Sequence, residues 1–522
     1  MNALGLQPVI ILLLISVSLE LPIAYGQDPS VHTPKIVTEE NPDINEGEEA
    51  QLINETDTKA ETAKENVNTG TFWTPPDFSK QDSALGWTSS VFDVPPGFQR
   101  RMNFWIDIYT KYTTHEALLH DSHYLDIVYK TLNFLDIDND PNLSAYEKSK
   151  AKKKRIKEEK TKVRDQLARI QKLEDTPSKM IPEDLDLFKK FRFVFEKKKF
   201  SMAANRNRLR MQLGQKDRFI LGIYFSGRYI REMEKIFREE NIPIELTRLP
   251  FVESSFNLNA YSHVGASGIW QFMRSTGRLY KLKVDSIKDL RNDPLEATRA
   301  AAKLLHFNYK LLGSWALALT AYNHGPGGVS KIVKELKTND INEIVWNTTR
   351  RRFGFASENF YAEFLAALEV ESHAEKYFGK IQVSPPLVYD EIQLPRAMKF
   401  GELALSMKGD KDNGIERARL YNPFFTRAVL SGHRRIEAGY IIRIPKDSKE
   451  KFLTQASTVD PIKAKGIEVK QGVYRILPGD TLSSISHDFG ISLKELLQAN
   501  ELQSRAVLRP GQSLVIPTME NQ

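Results

Sequence analysis

The sequence predicts a mainly α protein with small strand–helix–helix–strand modules of α+β type near its C-terminal end. Three observations carry this. From Arg100 to about Glu240, apolar residues recur at three- and four-residue steps, as in Met102-Asn-Phe-Trp-Ile-Asp-Ile-Tyr. Helical spacing continues through residues 241–378, where Arg299 to Leu312 and Ser314 to Tyr322 read as two helices with alanine-lined packing faces. Beyond them, Val473 to Pro517 passes from a strand through two short helical patterns to a closing strand.

The totals bound the answer. A chain of 522 residues implies two to four domains at roughly 100–200 residues each. A hydrophobic fraction of 41% is enough to build cores and excludes a wholly disordered protein. The chain has no cysteine, which removes disulfides, thiolate metal sites, a cysteine nucleophile and a lipid attached through an N-terminal cysteine. Net charge is +7 but unevenly spread: residues 27–70 carry −8 and residues 71–522 carry +16. A basic body suits an acidic polymer. No nucleic-acid motif accompanies it, so nucleic acid is not an expected partner.

Residues 1–26 read as a signal peptide, with an apolar run from Val9 to Val17 and Ala24-Tyr25-Gly26 as the small-residue cleavage pattern. No Lys or Arg precedes the run, and an uncleaved anchor is the competing reading. Glu20 and Pro22 interrupt it well short of the ~20 apolar residues of a span. The chain is therefore expected in the periplasm or cell envelope, with no transmembrane anchor after cleavage. Residues 27–99 read as an acidic disordered spacer followed, from Thr71, by a strap rich in Pro and Trp.

Residues 100–240 read as a helical accessory region. Within it, Lys148 to Lys172 is densely charged around a narrow stripe of Ile156, Val163, Leu167 and Ile170, the pattern of a long helix with one wet face; polyanion binding is the alternative. Tyr229, Met233, Ile236 and Phe237 line one face of the helix that leads into residues 241–378. Pro243 suits a first helical position, with Glu245 in the first turn.

The most informative stretch is Leu249 to Thr276, LPFVESSFNLNAYSHVGASGIWQFMRST. A random glutamate is ordinarily a surface or salt-bridged residue. Glu253 instead has Leu246, Leu249, Val252 and Phe256 around it, positions that would raise its pKa and keep it protonated. A protonated acid can donate to a glycosidic oxygen, and an ionised one cannot. Further on, Asn323-His324-Gly325-Pro326-Gly327 stops a helix and leaves Tyr322 in its last turn, where it can lean into a cleft.

Three segments in order, Glu253-Ser254, Gly268-Ile269-Trp270-Gln271 and Ala321-Tyr322-Asn323, resemble the Glu-Ser, Gly-x-x-Gln and Ala-Tyr-Asn signature of lytic murein transglycosylases of the lysozyme-like superfamily. The resemblance implies a lysozyme-like helical transglycosylase domain over residues 241–378. It also implies cleavage of the β-1,4 bond between N-acetylmuramic acid and N-acetylglucosamine, leaving 1,6-anhydromuramoyl ends. Glu253 would protonate the bridging oxygen, then take the proton of the muramoyl C6 hydroxyl as that oxygen closes the ring. Ser254 and Gln271 would bind substrate or orient the acid, and Tyr322, with Asn323 beside it, would position Glu253 or stabilise charge. Tyr361 resembles the family's late tyrosine. Trp270 stands where many relatives carry methionine, and its aromatic face could stack on a sugar. For Trp270, Tyr322 and Tyr361, ordinary core packing is the competing reading.

Hydrolysis by a goose-type lysozyme is the nearest alternative reaction. It needs a second acid to position water, and after Gln271 none occurs before Asp285; Asp285, Asp289, Asp293 and Glu296 could return through the fold. A non-catalytic wall-binding scaffold is a further alternative. Residues 472–518 resemble a LysM module, with Gly479-Asp480-Thr481-Leu482, Asn500 and Pro510-Gly511-Gln512 as hallmarks. This implies contact with N-acetylglucosamine units of peptidoglycan glycan strands. Residues 385–446 repeat the strand–helix–helix–strand order with Asn422-Pro423 at the matching place but without the Gly-Asp-Thr turn, and read as a degenerate LysM-like module.

No metal and no cofactor are expected. His115-Glu116-Ala-Leu-Leu-His120 mimics a zinc-protease helix, but on a helix its i, i+5 spacing turns the histidines apart, and adding His123 does not mend this. Asp136, Asp138 and Asp140 fall at calcium-loop positions, yet Pro141 occupies the place that needs glycine, so a capping loop is preferred.

Overall fold

The computed structural model describes residues 91–143, 145–262, 265–408 and 414–459, and of the C-terminal region 473–476, 481–488, 493–503, 506, 508 and 512–516. The expected signal peptide, the acidic spacer and the strap up to residue 90 lie outside the described residues. The end of the strap lies on the main core: Phe92 is fully buried, its ring 5.2 Å from that of Phe364 and 6.5 Å from Trp315. It leads into α1 (Gln99–Thr110), whose Met102, Trp105, Ile108 and Tyr109 all turn inward.

The accessory region is not wholly helical as expected. It contains β1 (Glu116–Asp121), β2 (Val128–Asn133) and β3 (Leu209–Leu213), an antiparallel sheet of order β2-β1-β3 in which Leu118 pairs with both Thr131 and Gln212. The residues that mimic a zinc helix therefore form a strand. The reason is burial on two sides: Ala117 and Leu119 enter one core while Leu118 enters another. A period of two can serve two cores at once, whereas a short helix presents one stripe. His120 is buried against Phe104 and Phe355, and burial pulls its pKa down to about 4.

Around the sheet lie α2 (Leu135–Asp138), α3 (Ala145–Lys172), α4 (Pro182–Lys190) and α5 (Lys199–Ala203). The charged stretch is the long helix α3, whose Val163, Leu167 and Ile170 cover Ala117, Leu119 and Leu132 while much of the rest faces water. The three aspartates of the calcium-like loop are taken up locally. Asp136 pairs with Arg155, Asp138 with Lys152 and His115, and Asp140 caps the Asn142 N–H at 2.9 Å.

The main helical domain comprises α6 (Lys216–Ser226), α7 (Ile230–Glu239), α8 (Leu249–Ser254), α9 (Arg274–Leu279), α10 (Pro294–Leu312), α11 (Trp315–His324), α12 (Pro326–Leu336), α13 (Ile341–Asn347), α14 (Phe355–Ser372) and α15 (Ala374–Phe378). Pro243 does not open an α-helix; it precedes the 3-10 turn Ile244–Arg248. At α10, Asp293 caps the Leu295 and Glu296 amides, Pro294 sits in the first turn, and Gly313 ends the helix at φ 70°. Alanines 297, 300, 301 and 302 of α10 are buried, which permits close approach of α11. Helix α14 is buried around most of its circumference, as a central helix must be, and both α1 and α8 pack on it.

The C-terminal region carries two small antiparallel pairs. β4 (Tyr389–Gln393) and β5 (Ile441–Pro445) flank α16 (Phe400–Ser406), α17 (Ile415–Tyr421) and α18 (Arg427–Leu430); α19 (Lys449–Thr458) follows. β6 (Val473–Arg475) and β7 (Ser513–Val515) flank α20 (Leu482–Asp488) and α21 (Leu493–Ala499). One asparagine plays the same part in each. Asn422 donates to the Arg443 carbonyl and accepts from its amide, both at 2.8 Å; Asn500 does both with Val515 at 2.6 Å. The first module is joined to the main domain through the Asp289 N–H to Phe424 carbonyl bond of 2.8 Å and the Arg443–Asp293 pair of 2.7 Å. Among the described residues, no helix is long and apolar enough to cross a membrane.

Candidate active site

Glu253 occupies the last turn of α8. Leu246, Leu249, Phe251, Val252 and Phe256, its neighbours in sequence, are all buried. The helix stops abruptly because Ser255 and Phe256 both take left-handed conformations, at φ 50° and 55°. Two consecutive non-glycine residues there are uncommon and costly, and the surrounding packing must hold them. Glu253 lies deep among protein atoms yet keeps part of its surface open. Burial pushes its carboxyl up to about 8. It is therefore a neutral acid at pH 7.

Beneath α8 lies a buried ion cluster. The Arg248 guanidinium donates to Glu234 at 2.5 Å and to Glu371 at 3.0 Å. Burial opposes its charge, but Glu371 and Glu234 outweigh that and raise its pKa, so it stays ionised. The cluster ties the root of α8 to α7 and α14.

The Gly-x-x-Gln loop is built against the same helix. Ser254 Oγ donates to the Ile269 carbonyl at 2.9 Å and to Pro250 at 3.2 Å, joining α8 to the loop. Gly268 sits at φ 77°, and a Cβ there would lie 1.9 Å from the Arg291 carbonyl oxygen, so only glycine fits. Arg291 is itself buried against Asp289 and donates to the carbonyls of Gly265 at 2.7 Å and Phe272 at 3.0 Å. Gln271, at φ 50°, donates from Nε2 to the Gly268 carbonyl at 2.8 Å, within the loop.

The sugar-stacking role considered for Trp270 is corrected. Its ring is fully buried, stacked on Phe237 at 5.9 Å, and its indole N–H donates to Thr298 Oγ1 at 2.9 Å. A bulky apolar side chain following the tight Gly268 turn is pulled into the core, where its one polar atom finds a partner. Its backbone remains at the site: the Tyr322 hydroxyl donates to the Trp270 carbonyl at 2.8 Å. Burial, and then the charges of Glu253 and Tyr280, raise the Tyr322 phenol well above its ordinary range, so it remains a hydrogen-bond donor.

Asn323 is exposed at the end of α11 and accepts from Ser357 Oγ at 3.0 Å; His324 lies 3.2 Å from the same hydroxyl. Tyr361 is buried, and its hydroxyl donates to the Asp93 carbonyl at 3.2 Å, which pins the strap. Glu253, Ser254, Gln271, Tyr322 and the Trp270 backbone thus come together, while the Tyr361 hydroxyl is committed to the strap.

Sequence reasoning missed Glu363. It lies buried on α14, and burial, followed by repulsion from Glu253, pushes its carboxyl up to about 8. A lone carboxylate inside the apolar run Phe360 to Leu368 was the available signal. The acids considered for holding water have other duties. Asp289 pairs with Arg291, Asp293 caps α10 and pairs with Arg443, Glu296 pairs with Arg299, and Asp285 accepts the amides of Ile287 and Lys288. Among the described residues, no three His, Cys, Asp or Glu side chains are grouped to hold a metal ion.

Residues 229–345 match the family described as Transglycosylase SLT domain, and residues 474–517 match the LysM domain. Two curated relatives, each called membrane-bound lytic murein transglycosylase D, come from Escherichia coli strain K12 and from Escherichia coli O6:H1. Each is 29% identical over 286 residues, 53% of this chain. The match spans 61% of the length of each relative. Glu253 and Tyr322 thus lie within the stretch that matches the Transglycosylase SLT domain, and Asn500 within the stretch that matches the LysM domain.

Proposed function

We propose that the chain is an exported lytic transglycosylase of peptidoglycan that uses Glu253 as its single general acid and base. The observation that carries this is the burial of Glu253, which raises its carboxyl to about 8 and leaves it proton-bearing at neutral pH. Glu253 donates its proton to the oxygen between N-acetylmuramic acid and N-acetylglucosamine as that bond breaks. The carboxylate then takes the proton of the muramoyl C6 hydroxyl while that oxygen bonds to C1, closing a 1,6-anhydro ring and restoring the acid. The nucleophile belongs to the substrate, so neither a second ionised carboxylate nor a cofactor or metal is required.

The remaining acids support this route over hydrolysis. Those after Gln271 are engaged in ion pairs, a helix cap and a turn. Glu363 is neutral at pH 7 and so is poorly suited to activating water. Ser254, Gln271 and Tyr322 hold the loop and α11 around the acid, a positioning role. The LysM domain would hold the enzyme on N-acetylglucosamine-containing strands and raise the local substrate concentration. Residues 385–446 would serve as a degenerate module of the same kind, fixed to the main domain.

The test is digestion of purified sacculi with mass analysis of the products. Muropeptides lighter than their reducing-end counterparts by one water support the reading. Reducing-end products alone would reassign the chain to hydrolysis, and binding without release would leave a scaffold.

A further inference from the structure

The turn between α4 and α5 presents a feature that the glycan reaction does not use. Phe193 is 51% and Phe195 is 88% exposed, although both lie in a turn whose other apolar members, Phe191, Val194 and Phe200, are buried in the core under α3. Phe191 and Val194 anchor the turn in the core, and the two phenylalanines stay out of it. Single exposed apolar side chains are ordinary, but two exposed aromatic side chains one residue apart in one short turn are not.

The polar setting is one-sided. Residues 189–199 hold six cations, Lys189, Lys190, Arg192, Lys197, Lys198 and Lys199, against the single acid Glu196. Glu196 is turned inward, accepting from Tyr124 at 3.2 Å and Arg208 at 3.2 Å. Lys199 closes the turn from within, donating to the carbonyls of Phe191 and Val194 at 3.3 and 3.4 Å. Arg192, Lys197 and Lys198 are exposed beside the rings, with the Arg192 guanidinium 4.7 Å and that of Arg100 5.1 Å from the Phe193 centroid. Helix α3, which packs on both α4 and α5, adds a net charge of +8 in its sequence.

We propose that the Phe193–Phe195 turn is a docking tip for the surface of an anionic lipid bilayer. Shallow insertion of apolar rings beside cations that meet lipid phosphates is the recognised physics of interfacial attachment. A sugar platform fits less well, because phenylalanine offers no hydrogen bond to hydroxyls and the turn presents no exposed carboxylate or amide. The tip would hold the enzyme at the membrane face through its own side chains. This goes beyond the glycan reaction and stands or falls separately from it.

The full chain is mixed with vesicles of phosphatidylglycerol and phosphatidylcholine, or of phosphatidylcholine alone, and sedimented. Cosedimentation with the anionic vesicles, reduced by salt and lowered about tenfold or more in F193S/F195S, supports the proposal. K197E/K198E should lower it as well, and F195W should show blue-shifted emission on binding the same vesicles. Thermal unfolding of the variants should match that of the parent chain, which establishes that they fold. Equal binding by parent and double-serine variant, no binding by the parent, unshifted F195W emission, or loss of sacculus binding instead of vesicle binding would each overturn it. A change of oligomeric state in F193S/F195S without a change in vesicle binding would make the patch a self-association surface instead.

Discussion

The Tyr322 hydroxyl donates to the Trp270 carbonyl at 2.8 Å, linking the last turn of α11 to the loop that backs Glu253. The bond joins two sequence motifs that lie far apart in the chain, and it holds the loop at one distance from the acid. Replacing Tyr322 with Phe removes it and leaves a partly buried carbonyl unpaired. Unfolding free energy should fall by about 1–2 kcal/mol. Turnover should fall further, on the order of 10- to 100-fold, because a small shift of the acid is costly. Thermal unfolding and steady-state release from sacculi check both.

Trp270 gives the opposite balance. Because its ring packs on Phe237 and its N–H bonds to Thr298, W270F should cost about 1–2 kcal/mol of stability. KM for glycan should stay near its original value. A several-fold rise in KM at unchanged stability would return the ring to the substrate.

Glu253 should make the fold pH-dependent in a defined direction. Its carboxyl is raised from the ordinary glutamate value to about 8, so between those two values the unfolded chain has released a proton that the folded chain retains. Stability contributed by this group is therefore lost as pH rises from about 4.5 to about 8. E253Q should be stabilised on the order of a few kcal/mol at pH 8 and little at pH 4. Denaturant unfolding at the two pH values measures the difference.

Glu363 and Glu253 repel when ionised, and Glu253 contributes to the raised carboxyl of Glu363. The coupling is reciprocal. E363Q should therefore move the alkaline limb of the pH–rate profile to lower pH, by about one unit or less. A limb that stays in place while turnover falls would make Glu363 only a packing residue.

Gly268 has no room for a side chain: a Cβ would meet the Arg291 carbonyl at 1.9 Å, at a backbone φ of 77°. G268A should cost about 2–4 kcal/mol and displace the Gln271 loop. Calorimetry together with activity on sacculi would show both losses in one variant.

Much of this was legible because the chemistry left local signals. The apolar flanks of Glu253, the glycine of the Gln271 loop and the helix stop after Tyr322 all read directly, and the paired roles of Asn422 and Asn500 were visible as a repeat. What was hidden depended on partners remote in sequence. The strand at Glu116–Asp121 exists because two separate cores claim alternate residues, and no local pattern of six residues reveals that. Trp270 was drawn inward by Phe237 and Thr298, and Tyr361 by Asp93, contacts that only the assembled helices create. Glu363 feels the charge of Glu253 across the interface between α14 and α8, and so went unread.

The central claim is that Glu253 carries a proton in the resting enzyme at neutral pH. Infrared difference spectra of the parent chain against E253Q, titrated from acid to alkaline pH with E363Q as a second reference, isolate its carboxyl stretch. That stretch should persist at pH 7 and vanish with a midpoint of about 8. A midpoint near the ordinary glutamate value of about 4.3 would contradict it.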